Sequence, residues 1–173
     1  MTAAERRNEI KKTLDAAQRP ISASVLAAKF SVSRQVIVGD IALLRTAGEN
    51  ISATPRGYIV VRTDTGIIHQ IVCRHTDDEK MIEELNAIVD HGCSVVNVIV
   101  DHPVYGQLMG ELRITSRYDV SIFYKSIKEA DAPPLSKLTD GTHIHTISCP
   151  DEEAFHRVEQ VLKECGILIS TIS

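Results

Sequence analysis

Between Ser22 and Gly48 the chain carries two short amphipathic segments separated only by Ser31-Val32-Ser33. A stretch so divided has few folding options besides two helices meeting at a tight turn. Ser22 stands where it can cap the first, and Val25, Leu26 and Phe30 form its expected buried side. Ser33 caps the second, which runs to about Ala47 with Ile37, Ile41 and Leu44 at i, i+4 and i+7. Gly48 occupies the usual place of a left-handed helix stop. A helix over Ala3–Ala17 precedes them, with Ile10, Leu14 and Ala17 in the same spacing, until Arg19-Pro20 breaks it. Residues 51–61 then place two β-prone runs around Pro55-Arg56-Gly57, which is a hairpin signal. Three helices, a tight turn and a hairpin make a winged helix-turn-helix over residues 1–62.

The charge divides at the same place. Residues 1–62 hold ten Lys/Arg against five Asp/Glu, whereas residues 63–173 hold nine against eighteen. A basic module joined to an acidic one suits a DNA reader tethered to a domain that does not read DNA. Residues 63–66, Thr-Asp-Thr-Gly, are small and polar and read as the linker.

Residues 67–173 alternate between strand and helix signals. Strands are expected at Ile67–His75, Ser94–Asp101, Tyr105–Leu112, His143–Cys149 and Ile167–Thr171. Helices are expected from Asp77-Asp78-Glu79 to Asp90, over Ser116–Glu129 and over Asp151–Cys165. Met81, Leu85 and Ile88 share one side of the first of these helices. The order β-α-β-β-α-β-α-β predicts an α+β fold, a two-layer sandwich with helices on one face of a mostly antiparallel sheet.

For double-stranded DNA, the residues at the start of the third helix are the base-reading candidates. Arg34 suits guanine, Gln35 suits adenine, and Ser33 suits a phosphate or either base. Arg45 is placed for a backbone contact, and Arg56 at the wing tip for phosphate or minor groove. The run from Leu26 to Gly48 resembles the helix-turn-helix of the biotin-repressor type, with one departure. Gly39 stands where many such helices carry arginine, which lowers helix propensity and removes a contact.

His143 and His145 lie two apart on a predicted strand, so both side chains leave one face. From spacing alone the pair reads either as exposed polar residues on a solvated face or as the start of a transition-metal site. His75 at a strand end and Glu83 inside a helix say little by themselves. His102 reads as a turn residue before Pro103 or as an effector contact, and Tyr105 as ordinary packing or a ring that stacks on an effector. Arg113 and Arg117 read as surface ion pairs.

Cys73-Arg74-His75, Glu83, Val100-Asp-His-Pro-Val-Tyr-Gly106 and Asp140-Gly-Thr-His-Ile-His145 together resemble the niacin-responsive transcriptional repressor family. The resemblance spans essentially the whole chain. It implies a C-terminal three-histidine (3H) domain of HPr-like fold, and a divalent metal, nickel or zinc, held by His75, Glu83, His143 and His145. It further implies a repressor with nicotinic acid as co-repressor, acting on genes of NAD synthesis or niacin uptake. A homodimer is expected, because one winged helix offers too few base contacts while two-fold dimers read palindromes.

Two other classes remain at this point: a regulator for which the metal is itself the signal, and a metal-dependent or ligase-like enzyme with a regulatory DNA domain. Against the ligase, residues 67–173 hold no Gly-rich nucleotide loop. Against the hydrolase, a glutamate used as a ligand leaves no evident general base. The expectation is therefore a non-enzyme. No stretch approaches the ~20 apolar residues of a membrane span, and the charged N-terminus lacks a signal-peptide core, so a cytoplasmic protein is expected. Cys73, Cys93, Cys149 and Cys165 form no C-x-x-C pair and read as reduced thiols.

Overall fold

Ser22, Ser33 and Asp77 each accept a hydrogen bond from the backbone N–H three residues on, at 3.2, 3.3 and 2.7 Å. These local bonds start three helices where the sequence places them. The computed structural model describes residues 1–61 and 66–172. The chain divides into two units, Met1–Thr63 and Asp64–Ser173. The expected linker, 63–66, falls mostly on residues 63–65, outside the described residues.

The N-terminal unit contains α1 (Ala3–Ala16), α2 (Ala23–Phe30), α3 (Arg34–Thr46) and the hairpin β1 (Ile51–Thr54) and β2 (Gly57–Val60). Ile10 and Leu14, Leu26, Ile37, Ile41 and Leu44, and Ile51 make one core. Val25 departs from expectation and is 58% exposed. The buried face of α2 is Ala23, Leu26 and Ala27 instead, and position 25 lies nearly opposite it, about 150° around the helix. Asp40 on α3 is buried and receives Arg6 Nε from α1 at 2.6 Å, with Arg7 at 3.5 Å. Ile21 pairs with Tyr58 through two 2.8 Å bonds and so extends the wing. That pairing needs Gly57, whose φ is +129° and where a Cβ would stand 2.4 Å from the Ile21 carbonyl carbon.

The C-terminal unit runs β3 (Ile67–Arg74), α4 (Asp78–Asp90), β4 (Ser94–His102), β5 (Gly106–Ile114), α5 (Arg117–Ala130), a 3-10 turn (Leu135–Thr139), β6 (Thr142–Cys149), α6 (Glu152–Glu164) and β7 (Leu168–Ile172). The sheet order is β5-β4-β6-β3-β7, with every neighbouring pair antiparallel. Ile71, Cys73, Val95, Leu112, Ile114, Ile147 and Cys149 face Met81, Leu85 and Ile88 of α4, Val120 of α5, and Phe155, Val158 and Leu162 of α6. This is the expected two-layer α+β arrangement, with helices packed on one sheet face. The return strand starts one residue later than expected and continues to Ile114. The 3-10 turn after Pro133-Pro134 is new, and its place beside β4 and β6 matters for the site.

Candidate functional site

The first turn of α3 presents Arg34 and Gln35, both exposed, while the Ser33 hydroxyl serves as the helix cap. Arg45, expected at a phosphate, donates its Nε–H to the carbonyl of Ile51 at 2.7 Å and so ties α3 to the wing. Arg56 sits in the turn between β1 and β2, the wing tip. The base-reading candidates thus stand at the start of the second helix of the helix-turn-helix, and the wing arginine in the hairpin turn.

The C-terminal unit holds a different kind of site. On β6, His143 and His145 pair in register with Cys73 and Ile71 of β3. Those two are core residues, so both histidines face the helices, at 3% and 4% exposure. Burial removes the solvated-face reading. His75 follows the end of β3, and its backbone N–H donates to Gly141 O at 3.3 Å. Gly141 has φ +91°, and a Cβ there would meet the His75 carbonyl oxygen at 2.3 Å. Only glycine lets the start of β6 lie this close to His75.

All three imidazoles converge on one carboxylate, that of Glu84. Its Oε2 lies 2.6 Å from His75 Nε2 and 3.1 Å from His143 Nε2, and its Oε1 lies 3.5 Å from His145 Nε2. The residue expected in this role, Glu83, is elsewhere. Glu83 is exposed and bonds the ammonium of Lys80 at 2.7 Å. The physical reason is helical phase. Glu84 lies three residues after Met81 and four before Ile88, within the apolar stripe, and Glu83 is turned about 100° away. The signal that could have found it is a charged residue inside an apolar face.

The outer nitrogens are also engaged. His143 Nδ1 bonds Gly141 O and His145 Nδ1 bonds Asn97 O, each at 2.9 Å. Donation to these carbonyls orients both rings with Nε2 toward Glu84, as a metal-ligand histidine is usually held. Complete burial opposes a charged Glu84, but charge from His145 and hydrogen bonds from His143, His145 and His75 outweigh it and hold its pKa well below the ordinary carboxylate value. Burial likewise opposes a charged His143, yet the bond and charge of Glu84 and the Gly141 carbonyl raise its pKa. Burial and the nearby Glu84 charge push the Cys73 thiol far up, which favours the protonated sulfur.

Ligand atoms of His75, Glu84 and His143 lie within 4.8 Å of one another. Neutral imidazoles with a carboxylate are a donor set fit for a divalent first-row ion. Above them lies a cleft of about 240 Å³ lined by His75, Asp77, Met81, Pro134, Ser136 and Lys137, among others. A narrow apolar chamber adjoins it, walled by Leu85, Val98, Leu112, Phe123 and Leu135, with Glu84 and all three histidines in its lining. The 3-10 turn supplies one wall of each.

His102 and Tyr105 line neither cavity. His102 Nδ1 accepts from the backbone N–H of Val104 and Tyr105 at 3.1 and 3.2 Å, which pins the β4–β5 turn. Tyr105 stacks on the His102 ring at 4.9 Å and is otherwise 75% exposed. Of the alternatives for these two residues, the turn geometry matches His102 as the turn residue before Pro103, and both stand outside the linings of the two cavities beside the cluster. Arg117 pairs with Asp90 and Arg113 with Glu111, as surface ion pairs should. The cysteines are free thiols, three of them buried. Among the described residues no helix is long and apolar enough to cross a membrane.

Comparison with known proteins agrees with both halves. Residues 68–171 match the 3H domain and residues 6–59 a helix-turn-helix (HTH) domain. The chain is 42% identical over 165 residues to the probable transcription repressor NiaR of Thermotoga maritima, covering 95% of this chain and 94% of that one. It is 41% identical over 170 residues to the transcription repressor NadR of Bacillus subtilis, covering 96% and 94%.

Proposed function

The chain belongs to the NiaR and NadR transcription repressors, which join a helix-turn-helix to a 3H domain, and on that premise we propose that its hold on operator DNA is set by nicotinic acid bound at a divalent metal. It is a regulator and not an enzyme. The metal is held by His75, Glu84, His143 and His145, and nicotinic acid occupies the cleft above them as co-repressor. The regulated genes are those of NAD synthesis or niacin uptake. The observation that carries this reading is the fully buried Glu84 carboxylate facing three imidazoles beneath a cavity. Such a group is costly to bury unless it is paired and used.

The ligand chemistry follows from the surroundings. The C-terminal unit is acidic overall, a poor environment for a free carboxylate. A divalent ion supplies strong local positive charge. The apolar chamber lined by Leu112, Phe123 and Leu135 suits a flat ring, and Lys137 at the cleft adds a second cation. Nicotinamide lacks the negative charge and binds more weakly. The effector acts by favouring one arrangement of a homodimer, that in which two recognition helices stand about 34–36 Å apart, one DNA turn.

The test is calorimetric titration of nicotinic acid and nicotinamide into zinc-loaded and chelator-stripped full-length protein, with operator binding followed in parallel. Expected is tight nicotinic acid binding only when metal is present, with a matching gain in DNA affinity. Unchanged nicotinic acid affinity in stripped protein separates the ion from the effector. A DNA response to zinc alone, with no effect of nicotinic acid, makes the metal itself the signal.

A further inference from the structure

Apart from its first turn and Arg45, the exposed side of α3 is unusually apolar. Val36, Val38 and Leu43 are 38%, 45% and 55% exposed, and Gly39 and Ala42 are exposed beside them. The buried side of the helix is Ile37, Asp40, Ile41 and Leu44. Gln35, Val38, Gly39 and Ala42 fall at i, i+3, i+4 and i+7, so they form one stripe on the outer side.

Gly39 is the informative residue. It is not among the glycines with positive φ, and a Cβ built on it meets nothing within 4 Å. Nothing within the N-terminal unit therefore requires glycine, and helix propensity argues against it, since glycine is the poorest interior residue after proline. A glycine with no internal reason, in the middle of the helix that enters the major groove, leaves the backbone bare for a close external surface.

We propose that α3 reads thymine methyl groups through Val38, Gly39 and Ala42, so that the operator half-site carries thymine opposite this stripe. The occupant is duplex DNA and not another protein, because the module is a helix-turn-helix, residues 1–62 carry ten Lys/Arg against five Asp/Glu, and Arg34 stands at the start of the same helix. The thymine C5-methyl is the apolar group that a base pair displays in the major groove, and small apolar side chains are its natural partners. Arg34 and Gln35 read neighbouring bases by hydrogen bonds, and the bare backbone at Gly39 lets the helix sit deep enough for Val38 and Ala42 to touch methyl groups. This readout does not depend on which effector or metal the C-terminal unit binds.

The experiment uses full-length protein and duplexes selected from a random-sequence pool, with nicotinic acid and zinc present and, separately, absent. Each thymine of the recovered duplex is then replaced by deoxyuridine, which removes only the methyl. Expected is a loss of about threefold or more at one or two positions per half-site, a modest share of what a good base contact is worth. Gly39→Ala is expected to bind the same duplex about tenfold more weakly while raising the melting temperature by a few degrees. A Val38→Ser protein is expected to lose its sensitivity to the deoxyuridine replacement. Uniform tolerance of deoxyuridine, a Gly39→Ala protein that binds as the parent does, or failure to recover any specific duplex overturns the proposal. A Gly39→Ala change that leaves DNA binding intact but alters sedimentation assigns the face to a protein contact, and overturns it equally.

Discussion

Asp40 and Glu84 are both buried carboxylates set into the apolar side of a helix, but their partners differ in kind. Asp40 is met by Arg6 and Arg7 from α1. Guanidinium is always charged and forked, so it satisfies a carboxylate permanently and adds no second function. The result is a tie between α1 and α3 that fixes the recognition helix. Glu84 is met by His75, His143 and His145, from the end of β3 and from β6. Imidazole can exchange a proton for a metal ion, and these rings border a cavity. One arrangement closes a structural contact, and the other keeps a site available.

This contrast can be broken most directly at Glu84. Replacing it with glutamine keeps its volume but removes the charge, and zinc affinity by equilibrium dialysis is expected to fall by more than about a hundredfold. Glu83→Gln, one residue away and exposed, is expected to bind zinc as the parent protein does. The opposite pattern would return the ligand role to Glu83.

Asp40→Ala tests the other side. It leaves Arg6 and Arg7 without their acceptor and is expected to destabilise the N-terminal unit by about 2 kcal/mol, between the values for exposed and fully buried pairs. Urea unfolding followed by circular dichroism measures it, and zinc binding should not change. A cost within about 0.5 kcal/mol, the usual range for a plain surface substitution, would mean that the tie holds nothing.

The smallest effect belongs to Arg34→Ala. Operator affinity is expected to fall about tenfold, about 1.4 kcal/mol, as for one lost base contact. Metal and effector binding should be untouched, because Arg34 is far along the chain in a separate unit. Unchanged affinity in a gel-shift assay would remove Arg34 from the readout.

The sequence by itself determined the elements whose causes are local. Ser22 and Ser33 cap their helices through bonds spanning three residues, Ile37, Ile41 and Leu44 bury by helical spacing, and the β-α order of residues 67–173 follows from alternating patterns and their breakers. It also located three of the four residues around the cluster, through the His143–His145 pair and the motifs around them. What only the tertiary structure decided depended on direction in space. Glu83 and Glu84 are equivalent in composition; the phase of the Met81, Leu85 and Ile88 stripe puts position 84 on the inner side, and the packing of α4 on the sheet brings it to the three histidines. His102 and Tyr105 belong to a shared motif, yet the β4–β5 turn folds them onto each other. Arg45 is drawn to the Ile51 carbonyl of the wing, and the 3-10 turn that walls the cavities has no periodic signal of its own. Short-range hydrogen bonds and periodicity are written along the chain, whereas convergence of His75, Glu84 and His143 across as many as 68 positions of sequence exists only once the sheet has paired β3 with β6.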